Sequence, residues 1–115
     1  MIVGSIDGNQ SSGMSIKPDS ILPQEVWQAM RNEAVGYRLG LLRRALGMTS
    51  SEMADSLGIE RTYWSRFEKG RQGLSDSVAA LLVVRFGVTL DFLMLGRWDK
   101  LPVDLAEKMR ALPPE

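Results

Sequence analysis

The stretch Thr49 to Gly70, TSSEMADSLGIERTYWSRFEKG, constrains the fold more than any other part of the chain. Its opening, Thr49-Ser50-Ser51-Glu52, has the form of a capping box, in which the threonine hydroxyl accepts the backbone N–H of Glu52 and the glutamate reaches back. A helix is expected to start there, with Met53, Ala54 and Leu57 on one face. Gly58 adopts positive φ without steric cost, so it can end that helix and redirect the chain. Beyond it Ile59, Tyr63 or Trp64, and Phe67 make a second apolar stripe at helical spacing, closed by Gly70. The pattern predicts two short amphipathic helices joined by a tight turn.

The rest of the chain reads as helical too. From Val26 to Leu46 the apolar residues follow two stripes. Val35, Leu39, Leu42 and Leu46 form the face expected to pack on the two short helices. Trp27, Met30, Ala34, Tyr37 and Leu41 form another, with no obvious partner. Pro23 suits a first helical position and Glu25 the first turn, while Gly36 and Gly40 lower helix propensity, so a bend is expected near residues 32 to 36. Leu74 or Ser75 starts a helix running through Val78, Leu81, Leu82 and Phe86 to Gly87. Thr89 caps a shorter one that carries Leu90, Leu93 and Met94 and stops at Gly96.

The ends differ from this middle. Residues 1 to 22 are rich in Gly, Ser, Asn and Asp with isolated hydrophobes, a composition that cannot offset chain entropy by burial, and are expected to be disordered. Both Met1 and Met14 are candidate natural starts. Residues 97 to 115 read as a tail with a short amphipathic helix through Val103, Leu105, Ala106 and Met109, stopped by Pro113-Pro114.

Composition narrows the chemistry. A chain of 115 residues at 44% hydrophobic content supports one domain with a real core. It contains no cysteine and no histidine, which excludes disulfides, cysteine-ligated zinc, thiol nucleophiles and imidazole catalysis. No phosphate loop or spaced carboxylate pair is visible either, so neither an enzyme nor a cofactor or metal site is expected. The longest apolar run, Val78 to Val84, falls far short of the roughly 20 residues that span a bilayer, and the N-terminus lacks signal-peptide order. A cytoplasmic protein without membrane association is expected. Net charge is zero, but between Arg38 and Arg71 seven basic residues face four acidic ones, a local excess of three positive charges that suits phosphates.

The central stretch resembles the helix-turn-helix of the phage repressor and Cro family, also called the xenobiotic response element family of transcriptional regulators. The matching positions are Met53, Leu57, Ile59, Trp64 and Phe67 in the core, Ala54 as the small residue and Gly58 at the turn. The likeness continues upstream through Arg38 to Arg44 and downstream through Gly87 to Leu93, covering roughly residues 35 to 96. It implies an all-α, lambda-repressor-like five-helix DNA-binding domain over residues 23 to 96, with an extra N-terminal helix and a short C-terminal tail.

The resemblance also implies roles. Burial of Ile59, Trp64 and Phe67 turns Glu60, Arg61, Thr62, Ser65 and Arg66 outward, and the family's base-reading positions fall on Arg61, Thr62 and Arg66. An arginine there can bond bidentately to guanine and a threonine methyl can touch thymine. Ser50 through its amide, Ser65, Lys69 and Arg71 are the candidate phosphate contacts. Arg43 and Glu68 match a structural ion pair that docks the recognition helix, residues 60 to 69, on the first core helix. Ser50 stands where the family usually has glutamine, and Glu60 where it favours serine or threonine; both reduce the expected grip on phosphate.

The function implied is a sequence-specific regulator of transcription on double-stranded DNA, most simply a dimeric repressor. Dimerisation is expected through the Trp27, Met30 and Tyr37 stripe, the helix of Leu90 to Met94, or the C-terminal tail. Two other functions fit the same fold, a protein-interaction adaptor and the antitoxin of a toxin–antitoxin pair, each using that stripe or tail for a protein partner.

Overall fold

A computed structural model describes residues 21–114. Most of the N-terminal segment expected to be disordered, and the question of Met1 against Met14, lie outside the described residues. Within them the chain is entirely helical, without a strand. The helices are α1 (Gln24–Ala29), α2 (Asn32–Ala45), α3 (Ser50–Leu57), α4 (Arg61–Glu68), α5 (Asp76–Phe86), α6 (Leu90–Leu95) and α7 (Val103–Arg110).

Local chemistry accounts for most of the boundaries. Both bonds of the capping box form at α3, with Glu52 N donating to Thr49 Oγ1 at 3.1 Å and Thr49 N to Glu52 Oε1 at 2.8 Å. Gly58 ends α3 at φ 69°, a left-handed conformation that a Cβ would penalise, and the chain enters α4 three residues later, at Arg61. Ser75 caps α5 through Val78 N and Thr89 caps α6 through Phe92 N, so of the two candidate starts for α5 the cap is Ser75.

The bend lies earlier than the glycines imply. The chain breaks at Met30 and at Arg31, whose extended φ −64°, ψ 148° precede α2, and α2 then runs unbroken through Gly36 and Gly40. Those glycines serve packing instead. A Cβ at Gly36 would lie 2.5 Å from the backbone oxygen of Glu68 and 2.7 Å from that of Phe67, so α2 and the end of α4 touch backbone to backbone. A Cβ at Gly40 would meet the Glu68 carboxylate at 3.2 Å.

The core centres on Leu39, Leu42, Met53, Ala54, Trp64, Leu82, Phe92 and Leu93, none of which keeps measurable exposure. It draws on α2 to α6 and extends past Gly96. Leu101, Leu105, Ala106 and Met109 are buried in the same cluster, and α7 packs on α2. Burying each of the larger side chains is worth roughly 1.5–3 kcal/mol, so the C-terminal segment is part of the packed body. Leu41 joins this cluster too, which removes it from the outward stripe on which its spacing placed it. Trp98 fastens the segment: its ring meets Phe92 edge to face at 5.1 Å, and the Arg110 guanidinium lies 4.9 Å over it.

Arg38 holds α1 and α6 to α2. From its half-buried position on α2 it donates to the backbone oxygen of Ala29 at 2.7 Å and to that of Leu93 at 3.0 Å. Burial lowers its pKa, yet guanidinium keeps its charge in proteins, so the two carbonyls face a permanent cation. No helix among the described residues is long and apolar enough to cross a membrane.

Candidate functional site

The eight residues of α4 divide cleanly by exposure. Trp64 is wholly buried and Phe67 nearly so, while Arg61, Thr62, Tyr63 and Arg66 are exposed and Ser65 is half-buried. Thr62 and Arg66 stand four apart and therefore neighbour each other on one face, with Arg61 beside them. Ser50 is exposed in the first turn of α3, where the leading backbone N–H groups have no partner within the helix. Lys69 and Arg71 are exposed just past the end of α4.

What fixes this helix is a network around Glu68. Arg43 on α2 donates from Nε to Glu68 Oε1 at 2.8 Å and from Nη2 to Oε2 at 2.9 Å, a bidentate pair. Arg43 also donates to the backbone oxygen of Met48 at 3.0 Å, which ties in the approach to α3. The indole of Trp64 supplies a third bond, Nε1 to Glu68 Oε1 at 2.7 Å. Burial alone would push the Glu68 carboxyl up. The hydrogen bonds from Arg43 and Trp64, with the charges of Arg43 and Arg44, overcome that and leave its pKa below the ordinary glutamate value. The residue is ionised at neutral pH.

Gly70 completes the docking. It lies at φ 72°, and a Cβ there would come within 2.7 Å of the Glu33 Cα, so the turn after α4 rests against the first turn of α2. With Gly36, Gly40 and the Arg43–Glu68 pair, the C-terminal end of α4 is held against α2 while the face carrying Arg61, Thr62 and Arg66 stays in solvent.

Three features of the site escape sequence reasoning. Arg61 Nη2 meets Asp55 Oδ2 of α3 at 3.3 Å, with both side chains more than half exposed, so a surface ion pair occupies the first candidate base reader. Tyr63 presents a 44% exposed aromatic ring beside Thr62. Its immediate precedence of buried Trp64 is the signal, since neighbours on a helix point about 100° apart. The Trp64–Glu68 bond has a signal as well: a buried indole N–H requires an acceptor, and Glu68 stands four residues on. The charge count between Arg38 and Arg71 also needs correction, because Arg38 is committed to two carbonyls and Arg43 to Glu68. Of the other five, Arg66, Lys69 and Arg71 are exposed, Arg61 is exposed but paired with Asp55, and Arg44 is half-buried.

Residues 34–92 match the model of a helix-turn-helix domain, a span of just over half the chain that includes α3 and α4 whole. The all-α order from α2 to α6 agrees with the lambda-repressor-like arrangement. No curated protein and no solved structure matches the chain. Among the described residues, no group of three or more potential metal ligands comes together.

Proposed function

The chain belongs to the helix-turn-helix domain family, of the Cro- and C1-type kind, and on that premise we propose that it is a sequence-specific regulator of transcription, a repressor that binds double-stranded DNA as a homodimer with α4 in the major groove. One observation carries the reading: Arg61, Thr62 and Arg66 project from the open face of a helix whose other face is locked by Glu68, Arg43 and Trp64. A base-reading side chain loses discrimination if its helix can tilt, and this network opposes tilting.

In this reading Arg61 and Arg66 donate to guanine O6 and N7, each worth about 1–3 kcal/mol of discrimination, and the Thr62 methyl meets thymine. Ser50 through its amide, Ser65, Lys69 and Arg71 contact phosphates and set register. Arg61 must first leave Asp55, which costs little, because an exposed pair of this kind is worth roughly 0.2–1 kcal/mol. Two half-sites about 34 Å apart call for a two-fold dimer.

Selection of bound duplexes from a random pool, run at two salt concentrations, tests the proposal. Recovery of a palindromic motif that Arg61→Ala no longer selects supports it. Binding that falls with salt but shows no sequence preference refutes base reading and favours the protein-interaction adaptor.

A further inference from the structure

Helix α1 stands out as an element that does not bury itself. It has six residues, none of them buried, and a helix so short is marginal without tertiary support. Its described support is contact with α2 and α6 and the bond from Arg38 to its last carbonyl. The large side chains it carries remain outside: Trp27 is 45% and Met30 40% exposed, and Tyr37 on α2 is 57% exposed. Trp27 and Met30 border a cavity of about 260 Å³ with Arg31 and Glu33. That is below the roughly 300–1,000 Å³ of a small-molecule site and suits an anchoring side chain. Trp, Tyr, Met and Arg are the residue types enriched in protein–protein interface cores.

Charge identifies the occupant. The rim holds one cation and one anion, Arg31 and Glu33, at 3.7 Å from each other and both exposed. A two-fold interface repeats each contact, residue i meeting residue j and j meeting i, so a patch with opposite charges side by side can complement itself. Arg31 of each copy then faces Glu33 of the other around the aromatic centre. Another apolar groove, where Leu90 and Met94 of α6 meet Ala80 of α5, lacks this property. Its lining charge is Asp76, and exposed Asp91 follows Leu90, so a second copy brings acid towards acid.

We propose that the Trp27 and Met30 patch is a two-fold self-association surface whose register is set by reciprocal Arg31–Glu33 pairs. It shares no residue with the proposed base-reading face, so both can be occupied at once. The surface deepens the DNA-binding reading and rests on it for its purpose, but its test is independent.

The test is the oligomeric state of the full chain, followed by sedimentation equilibrium over a range of concentrations, with circular dichroism to establish that each variant is folded. Wild type forms a dimer. Arg31→Glu and Glu33→Arg each place like charges opposite one another twice, and each weakens dimerisation by about tenfold or more. An equimolar mixture of the two single variants restores a dimer, because the mixed pair again sets opposite charges against each other at both contacts. Trp27→Ala weakens dimerisation without a charge change. A folded wild type that stays monomeric overturns the proposal, whether the chain's first twenty residues or a different protein takes the patch. Single variants that dimerise like wild type, or a mixture that does not recover, overturn it too. A monomer that still selects a DNA motif sinks this surface and the homodimer but leaves base reading by α4 standing; a dimer without DNA selectivity sinks base reading and leaves this surface standing.

Discussion

Replacing Glu68 by alanine should show how firmly α4 is held. The carboxylate accepts three hydrogen bonds, two from Arg43 and one from Trp64, and its side chain is 21% exposed against 16% for Arg43. Its loss leaves the indole N–H of wholly buried Trp64 without an acceptor, a cost of about 1–3 kcal/mol. Arg43 loses two charge-assisted bonds but keeps the Met48 carbonyl and some solvent, so its share falls short of the roughly 3–5 kcal/mol of a fully buried broken pair. A total of about 2–4 kcal/mol follows, equivalent to roughly 8–16 °C in a domain of this size. Glu60→Ala is the control. Glu60 is exposed and makes no side-chain cap bond at α4, so its change should stay within about 0.5 kcal/mol. Glu68→Gln, which keeps an acceptor for Trp64 but loses the charge, should fall between. Thermal and urea melts followed by circular dichroism measure all three. Equal melting temperatures for Glu68→Ala and Glu60→Ala would refute the network.

Further outcomes follow from neighbouring contacts. Gly36→Ala should destabilise by about 1–2 kcal/mol, since overpacking against backbone costs roughly 1–3 and better helix propensity returns up to about 1. Gly40→Ala, which meets only a side-chain carboxylate, should cost less, and an equal or reversed order in urea melts would rule out the backbone contact. Glu68 has a folded pKa below its unfolded value near 4.3, so its contribution is complete above about pH 4.3 and fades as pH falls through the folded value. The stability gap between wild type and Glu68→Gln should therefore narrow in acid; a gap unchanged by pH contradicts the ionised pair. Asp55→Ala frees Arg61 and removes an anion beside the reading face, so affinity for a selected duplex should rise about two- to fivefold in a fluorescence anisotropy titration. A loss of affinity would mean that Asp55 positions Arg61 for binding.

Signals confined to a few residues were legible in the sequence. Thr49 with Glu52, Gly58, Ser75 and Thr89 state their helix boundaries through chemistry within one turn, and Trp64 declares itself core by its spacing despite its prominence. Long-range contacts were not legible in the same way. Gly36 and Gly40 read as weak helix formers because their partner, the end of α4, lies about 30 positions on. Arg38 reads as a surface cation because the carbonyls it serves belong to residues 9 and 55 positions away. Leu41 looks unpartnered by its spacing, yet it is buried in a core cluster drawn from distant parts of the chain. At the candidate site, the outward set of Arg61, Thr62 and Arg66 follows from the buried stripe alone, whereas Asp55 reaches Arg61 only after the turn at Gly58 brings α3 and α4 together.

Methylation interference distinguishes base reading by the open face of α4 from contact with phosphates alone. Guanine N7 methylation blocks the acceptor that an arginine fork needs. On the duplex recovered by selection, wild type should show interference at guanines within each half-site, lost at particular guanines for Arg61→Ala and at others for Arg66→Ala. Interference unchanged by either substitution, or none at any guanine while phosphate ethylation still blocks binding, would contradict base reading.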